Sequence, residues 1–342
     1  MTADAPEPTA GPDPVTRLML AEAGVLGATV LVIDDAGGEL ARAALDSGAR
    51  VLAHCDDLRD EAALPPGVEV LDRLEPTSAL GEVDTVLWRL PRSLDAVSEV
   101  CEILARACPA RVRIVAGGRD KHLTPTMNPV MARSFTHVRA SLGRWKCRVL
   151  HASGPIDREP TWPRRTRLTA LGLDLVSSGA AFASGRLDAG TALLARHLPA
   201  GTGLAVDAGC GTGVLAVLLA RQGWRVVASD VSQAAVRATL ATAAANGVAD
   251  RVEVGRWAGV RTEAHPVDLV VSNPPFHRGA AKDSAAAFEI VDGASAALAP
   301  GGELRLVFNA HLPYLPYARR VVGPTRILAR TRDYLVTCST RS

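Results

Sequence analysis

The run Asp207-Ala208-Gly209-Cys210-Gly211-Thr212-Gly213 follows an apolar stretch and opens a helical pattern, and no other feature restricts the fold so tightly. Glycines at such a junction let the backbone turn sharply and approach a ligand with no Cβ in the way. The helix that follows adds unpaired N–H groups at its N-terminus. This arrangement belongs to open α/β sheets, where ligands sit at the carboxyl ends of parallel strands. The dinucleotide fingerprint Gly-x-Gly-x-x-Gly fails in both registers. Its sixth place holds Val214 when counted from Gly209 and Ala216 when counted from Gly211.

The surrounding sequence repeats the same alternation. Leu204 to Ala208 reads as a strand, Gly213 to Gln222 as a helix, Arg225 to Ser229 as a strand and Ser232 to Asn246 as a helix. Ser232 suits the N-cap, and Asn246-Gly247 suits the stop. Val252 to Val254, Leu269 to Ser272 and Glu303 to Phe308 supply three more strands, with a helix over Ala285 to Leu298 that ends at Pro300-Gly301-Gly302. Arg326 to Thr331 and Tyr334 to Ser339 read as a closing antiparallel hairpin.

The N-terminal half echoes this order with its chemistry erased. Val32 to Gly38 stands against Ala205 to Gly211, Val83 to Pro91 against Val267 to Pro275, and Val112 to Val115 against Leu304 to Val307. The expectation is two tandem Rossmann-like doubly wound α/β domains, the first without a ligand site, although any two domains of this class share such grammar. The 342 residues divide into a disordered tail over residues 1–14, a degenerate domain over 15–165 and a catalytic domain over 166–342. Met1 to Pro14 lacks the order of a signal peptide. No run reaches the ~18 apolar residues that a membrane span needs. The six cysteines are scattered with no CxxC pair, which suggests neither a zinc site nor a disulfide framework and fits a reducing cytoplasm.

Charge is distributed unevenly. Residues 103–170 hold 14 Lys/Arg and 3 Asp/Glu, whereas residues 1–102 hold 7 and 20. The basic block surrounds Trp145 and Trp162 and has the character of a phosphate-backbone footprint. A solvated face balancing the acidic first third is the competing reading.

The Asp-x-Gly-x-Gly-x-Gly loop resembles the first motif of class I S-adenosylmethionine-dependent methyltransferases. The resemblance implies that Asp207, Gly209, Cys210, Gly211 and Gly213 form the cofactor loop. Asp230, with Val231 beside it, ends the next strand, where an acidic side chain can accept from both ribose hydroxyls. An N-cap role is its alternative, though Ser232 can serve there. Relatives often place a small acidic or amide residue after the third strand, but this chain has Gly255-Arg256-Trp257. Trp257 either stacks on adenine or simply packs nearby.

Ser272-Asn273-Pro274-Pro275-Phe276-His277 follows the fourth strand of that half and resembles the fourth motif of amino-group methyltransferases acting on adenine N6, guanine N2 or glutamine amide nitrogen. An exocyclic amino group is a poor nucleophile because its lone pair is delocalised. The Asn273 side-chain oxygen and the Pro274 carbonyl can accept its two hydrogens and turn the lone pair toward a methyl donor. Pro274 and Pro275 fix the turn, and Phe276 can stack on a planar acceptor. Together with Leu187-Asp188-Ala189-Gly190-Thr191 and Phe308-Asn309-Ala310-His311-Leu312-Pro313-Tyr314, these motifs resemble the ribosomal RNA guanine-N2 methyltransferases over nearly the whole chain. Members of that family have two tandem methyltransferase-like domains, the first without cofactor.

The resemblance implies S-adenosyl-L-methionine as cofactor, ribosomal RNA or a ribosomal subunit as partner, a cytoplasmic monomer, and no metal. By the same analogy Asp188 and Gly190 border the cofactor and base pockets, with helix entry as the competing role. Methylation of a protein glutamine or of adenine N6 is the alternative chemistry, and a ribosome-binding scaffold the non-enzyme alternative.

Overall fold

A computed structural model describes residues 12–183, 185–261, 266–275 and 281–342. The chain forms two compact units, Met1–Cys55 with Arg59–Pro160, and Asp56–Leu58 with Thr161–Ser342. In the first, α1 (Pro14–Ala23) leads into β1 (Thr29–Ile33), α2 (Glu39–Asp46), β2 (Arg50–His54), a single helical turn α3 (Leu58–Glu61) and a short β3 (Glu69–Val70). Then come β4 (Thr85–Arg89), α4 (Leu94–Ala107), β5 (Arg113–Arg119), α5 (Met127–Met131), β6 (Phe135–Ala140) and β7 (Cys147–Pro155).

The second unit begins with an antiparallel pair, β8 (Arg164–Leu168) and β9 (Leu173–Ser177), followed by α6 (Ala189–Ala195). Next are β10 (Leu204–Ala208), α7 (Val214–Arg221), β11 (Arg225–Asp230), α8 (Gln233–Ala245), β12 (Val252–Arg256) and β13 (Val267–Ser272). It ends with α9 (Ala281–Ala297), β14 (Leu298–Asn309), α10 (Tyr314–Val321), β15 (Thr325–Arg330) and β16 (Tyr334–Thr340).

Each unit is built on a seven-stranded sheet, and the two sheets share one strand order. The first runs β3-β2-β1-β4-β5-β7-β6 and the second β12-β11-β10-β13-β14-β16-β15. Their last two strands are antiparallel, as the expected hairpin requires. Alternate residues of a strand face opposite sides. Accordingly Leu31 and Ile33 enter one core of the first unit, while Val30 and Val32 enter the other. Leu269 and Val271 are separated from Val270 in the same way in the second unit.

Two of the three sequence echoes are shifted by two residues. Asp34 N–H donates to His54 O at 2.9 Å, as Gly209 N–H donates to Ser229 O at 2.8 Å. Gly38 and Gly213 both cap the next helix in the left-handed region, at φ 68° and 80°. Val32 to Gly38 therefore matches Asp207 to Gly213 rather than Ala205 to Gly211. Likewise Arg113 pairs with Thr85 as Glu303 pairs with Leu269, so Arg113 matches Glu303 and not Arg305. The β4 echo is in register. The strand period explains the slip: a shift of two preserves which residues face the core, so hydrophobic pattern alone does not resolve it.

Two further differences concern ends. Pro300-Gly301-Gly302 does not stop a helix but lies within β14, where the pairing with β13 shifts between Val267 and Leu269. Within the segment expected as a tail, Asp13 caps α1 and Pro14 opens it; residues 1–11 lie outside the described residues.

Gly213 is held at φ +80°, and a Cβ there would come 2.9 Å from the Thr239 Cα; Gly247 has φ +68° but open space around it. Both alanine variants would carry the left-handed penalty of roughly 1–2 kcal/mol, and Gly213→Ala adds a clash with backbone. Thermal unfolding of the second unit is expected to show a clearly larger loss for Gly213→Ala than for Gly247→Ala.

Candidate active site

The glycine loop, the N-terminus of α6 and the end of β13 converge in the second unit. One pocket is lined by Asp188, Thr191, Gly209, Cys210, Gly211 and Asn273, among others. Gly209, Gly211 and Gly213 all have positive φ, which allows this path of the loop. Behind it, buried Asp207 accepts from the Ala216 N–H at 3.0 Å and pins the start of α7 to the strand. Asp230 accepts from the Gly211 N–H and the Ser232 N–H, each at 3.0 Å. It thus braces the loop, while the Ser232 hydroxyl caps α8. Burial pushes the Asp230 carboxyl above its ordinary range, against the pull of these bonds.

The most informative geometry surrounds Asn273. Its Nδ2 donates to Asp188 Oδ2 at 2.9 Å and to Thr191 Oγ1 at 2.8 Å. Asp188 also accepts from the Thr191 N–H at 2.9 Å as the N-cap of α6. Asp188 thus both caps α6 and lines the pocket beside Asn273. A carboxylate only accepts, so Asp188 fixes which end of the Asn273 amide faces it. Asn273 Oδ1 is then the outward end, and it is buried with no protein partner. Gly190 makes room for this arrangement: a Cβ there would stand 3.1 Å from both Asp188 Oδ2 and Tyr334 Cε1, and 3.4 Å from Asn273 Oδ1.

Of the other expected site residues, Pro274 is buried and Pro275 exposed after β13, and Val231 is half-buried beside Asp230. Phe276 and His277 lie outside the described residues. Trp257 lies so close to Gly255 that a Cβ on that glycine would come 1.6 Å from the indole ring, and the Arg261 guanidinium sits 4.4 Å from the ring centroid. That geometry favours packing over stacking on a ligand. Asp207, Gly213, Asp230, Val231 and Trp257 are not among the pocket's lining residues, whereas Phe182 and Arg186, which sequence reasoning did not single out, are. Phe182 is half exposed, and a Cβ on Gly211 would touch its side chain. An exposed aromatic in a loop before the Asp188 helix was the only available signal.

The "Methyltransferase small domain" family model matches residues 172–338, and the "RLMG N-terminal domain" model matches residues 19–155. The ribosomal RNA large subunit methyltransferase G of Streptomyces coelicolor is 34% identical over 334 residues, covering 91% of this chain and 88% of its own. The ribosomal RNA small subunit methyltransferase C of Pseudomonas aeruginosa (strain LESB58) is 33% identical over 288 residues, covering 81% and 84%. Among solved structures, a T. thermophilus 16S rRNA N2-guanine methyltransferase in complex with AdoMet and guanosine superposes with a TM-score of 0.80 at 22% identity, over 96% of this chain and 92% of that one. The chain belongs to the family of ribosomal RNA methyltransferases.

Burial raises the Asp207 carboxyl to about 7. A carboxyl whose folded pKa lies above its unfolded value binds more protons when folded, so its contribution to stability is full below about pH 4 and is lost as pH rises through about 7. Asp207→Asn keeps an acceptor for Ala216 but does not ionise. Thermal unfolding between pH 4.5 and 8 is expected to show the wild-type protein losing stability relative to this variant as pH rises.

Proposed function

We infer that the second unit transfers the methyl group of S-adenosylmethionine to the exocyclic N2 of a guanine in ribosomal RNA. The observation that carries this reading is the Asn273 amide, oriented by Asp188 and Thr191 with its oxygen left unpartnered beside the glycine loop. The residues present fit the cofactor: a loop of glycines at positive φ that lines the pocket through Gly209 and Gly211, and a carboxylate at the end of β11 that accepts from the Gly211 N–H. When bound, S-adenosylmethionine supplies a methyl group on a positively charged sulfur. Asn273 Oδ1 and the Pro274 carbonyl accept the two amino hydrogens of the guanine and turn its lone pair to the methyl. Phe276 stacks on the base after it leaves its helix. The chain contributes alignment and an oriented acceptor, with no covalent attachment to the protein. The relatives named as ribosomal RNA methyltransferases, and the guanine-N2 enzyme that shares the fold, support the choice of acceptor.

All 14 basic residues of the 103–170 block are exposed, and each unit presents a share of them. In the first unit the β6–β7 hairpin turns through Trp145 and Lys146, both at positive φ, 52° and 59°. Strained non-glycine residues of this kind gather at functional sites. Trp145 is 45% exposed, with the Arg17 guanidinium 3.8 Å from its ring centroid. Trp162 is instead buried under Arg164 and offers no platform. In the second unit β8 exposes Arg164, Arg165 and Arg167. We assign these surfaces to RNA. No helix among the described residues is long and apolar enough to cross a membrane, and all six cysteines are buried; a monomer in the cytoplasm, where ribosomal RNA is found, completes the reading.

Replacing Asn273 by Ala is expected to reduce methyl transfer at least ~100-fold while cofactor affinity largely survives, because the amide acts on the acceptor in the transition state. Labelled methyl transfer to naked rRNA and isolated subunits, with nucleoside analysis, is expected to give N2-methylguanosine. N6-methyladenosine or methylglutamine as product would contradict the guanine assignment. Double replacement of Arg144 with Arg148, or of Arg164 with Arg165, is expected to weaken RNA binding and flatten its salt dependence.

A further inference from the structure

The latch that orients Asn273 occurs a second time, in the first unit, with one residue exchanged. Asp13 caps α1 and Thr16 lies one turn on, as Asp188 and Thr191 do at α6. Arg89 ends β4 at the register position that Asn273 follows in β13, and its guanidinium donates to Asp13 Oδ2 and Thr16 Oγ1. An amide that can accept has thus become a guanidinium that can only donate. The acceptor for an amino group is gone, and donors for an anion stand in its place. Arg89 does not use them all: its Nε is buried with no partner.

A cleft of ≈ 560 Å³ opens on this latch, lined by Asp13, Glu39, Arg89, Arg119 and His122 together with small and apolar residues. That is the size range of small-ligand pockets. Arg92 approaches His122 Nε2 at 3.1 Å, and burial, Arg92, Lys121 and Arg119 together hold His122 toward its neutral form. The cleft lining sets the guanidiniums of Arg89 and Arg119 against the carboxylates of Asp13 and Glu39, and Asp13 occupies part of Arg89 as an internal anion.

We propose that this cleft is an anion site that takes the phosphate of a nucleotide, free or within RNA, on Arg89 and Arg119. A phosphate offers acceptors in several directions, which suits a guanidinium pair converging from β4 and β5. The Asp13 carboxylate competes for Arg89, so the site is tuned by its own cap residue. The proposal goes beyond methyl transfer and does not depend on it.

The test is binding of inorganic phosphate, uridine 5′-monophosphate, uridine and a short oligouridine RNA to the full chain by calorimetry and phosphorus NMR. The phosphate-bearing probes are expected to bind and uridine is not. Arg119→Ala, at an exposed position, is expected to weaken binding about tenfold. Asp13→Asn still caps α1 but releases Arg89, and is expected to tighten binding several-fold. Response of the mononucleotide alone to these variants marks a free nucleotide as the ligand, and response of the RNA alone marks a backbone phosphate; either supports the site. Binding of none of the probes, or affinities that neither variant changes, would overturn it.

Discussion

In the proposed reaction, the orientation of one amide decides what this molecule can do. Asn273 meets a carboxylate that accepts and a hydroxyl, and both draw its NH2 end, so its oxygen is the end left for a ligand. Several otherwise separate features of the fold serve that contact. The cap of α6 places Asp188, the absence of a side chain at Gly190 leaves the amide space, and β13 delivers Asn273 next to the strand that carries the glycine loop. A buried acceptor with no partner costs roughly 1–3 kcal/mol. A site that keeps one is prepared for a donor that arrives with the substrate.

The same frame without that chemistry is visible in the first unit. Its sheet has the same strand order, and its first turn follows the same left-handed course through Asp34 and Gly38. Cys55 falls where Asp230 falls in the second unit, one residue past the strand position shared by His54 and Ser229. Asp35 reaches forward to the Ala41 N–H as Asp207 reaches to the Ala216 N–H, although the two acids occupy different places in the loop. The bond that anchors helix to strand has survived, and the acid at the end of the second strand has not. The shared strand order fits duplication followed by divergence, with packing constraints acting on both copies and methyl-donor constraints on one.

Much of this was legible in the sequence because it rests on local rules. Period-2 and helical patterns located β10 to β13, α7, α8, β15 and β16 within a residue or two, and Ser232 and Asn246-Gly247 marked the ends of α8, whereas α9 and β14 begin four and five residues before their expected starts and β8, β9 and α10 left no pattern that was read. What pattern missed was set by tertiary contact. The two-residue slips between the halves leave every core-facing residue in place, and only strand pairing exposes them. The Pro300-Gly301-Gly302 bulge resembles a helix stop because the chemistry of turns and bulges is shared. The contact between Asp188 and Asn273 joins residues 85 positions apart. It still had a sequence trace, since Asp13-Pro14-Val15-Thr16 repeats the spacing of Asp188-Ala189-Gly190-Thr191.

The central claim is that two like folds share one chemistry between them, held by the second. The most direct measurement is calorimetric titration of the full chain with S-adenosylmethionine. The account predicts one site per chain, weakened by roughly 1.5–3 kcal/mol in Asp230→Ala through loss of paired hydrogen bonds and unchanged in Asp34→Ala. Two sites per chain, or equal sensitivity to the two substitutions, would contradict it.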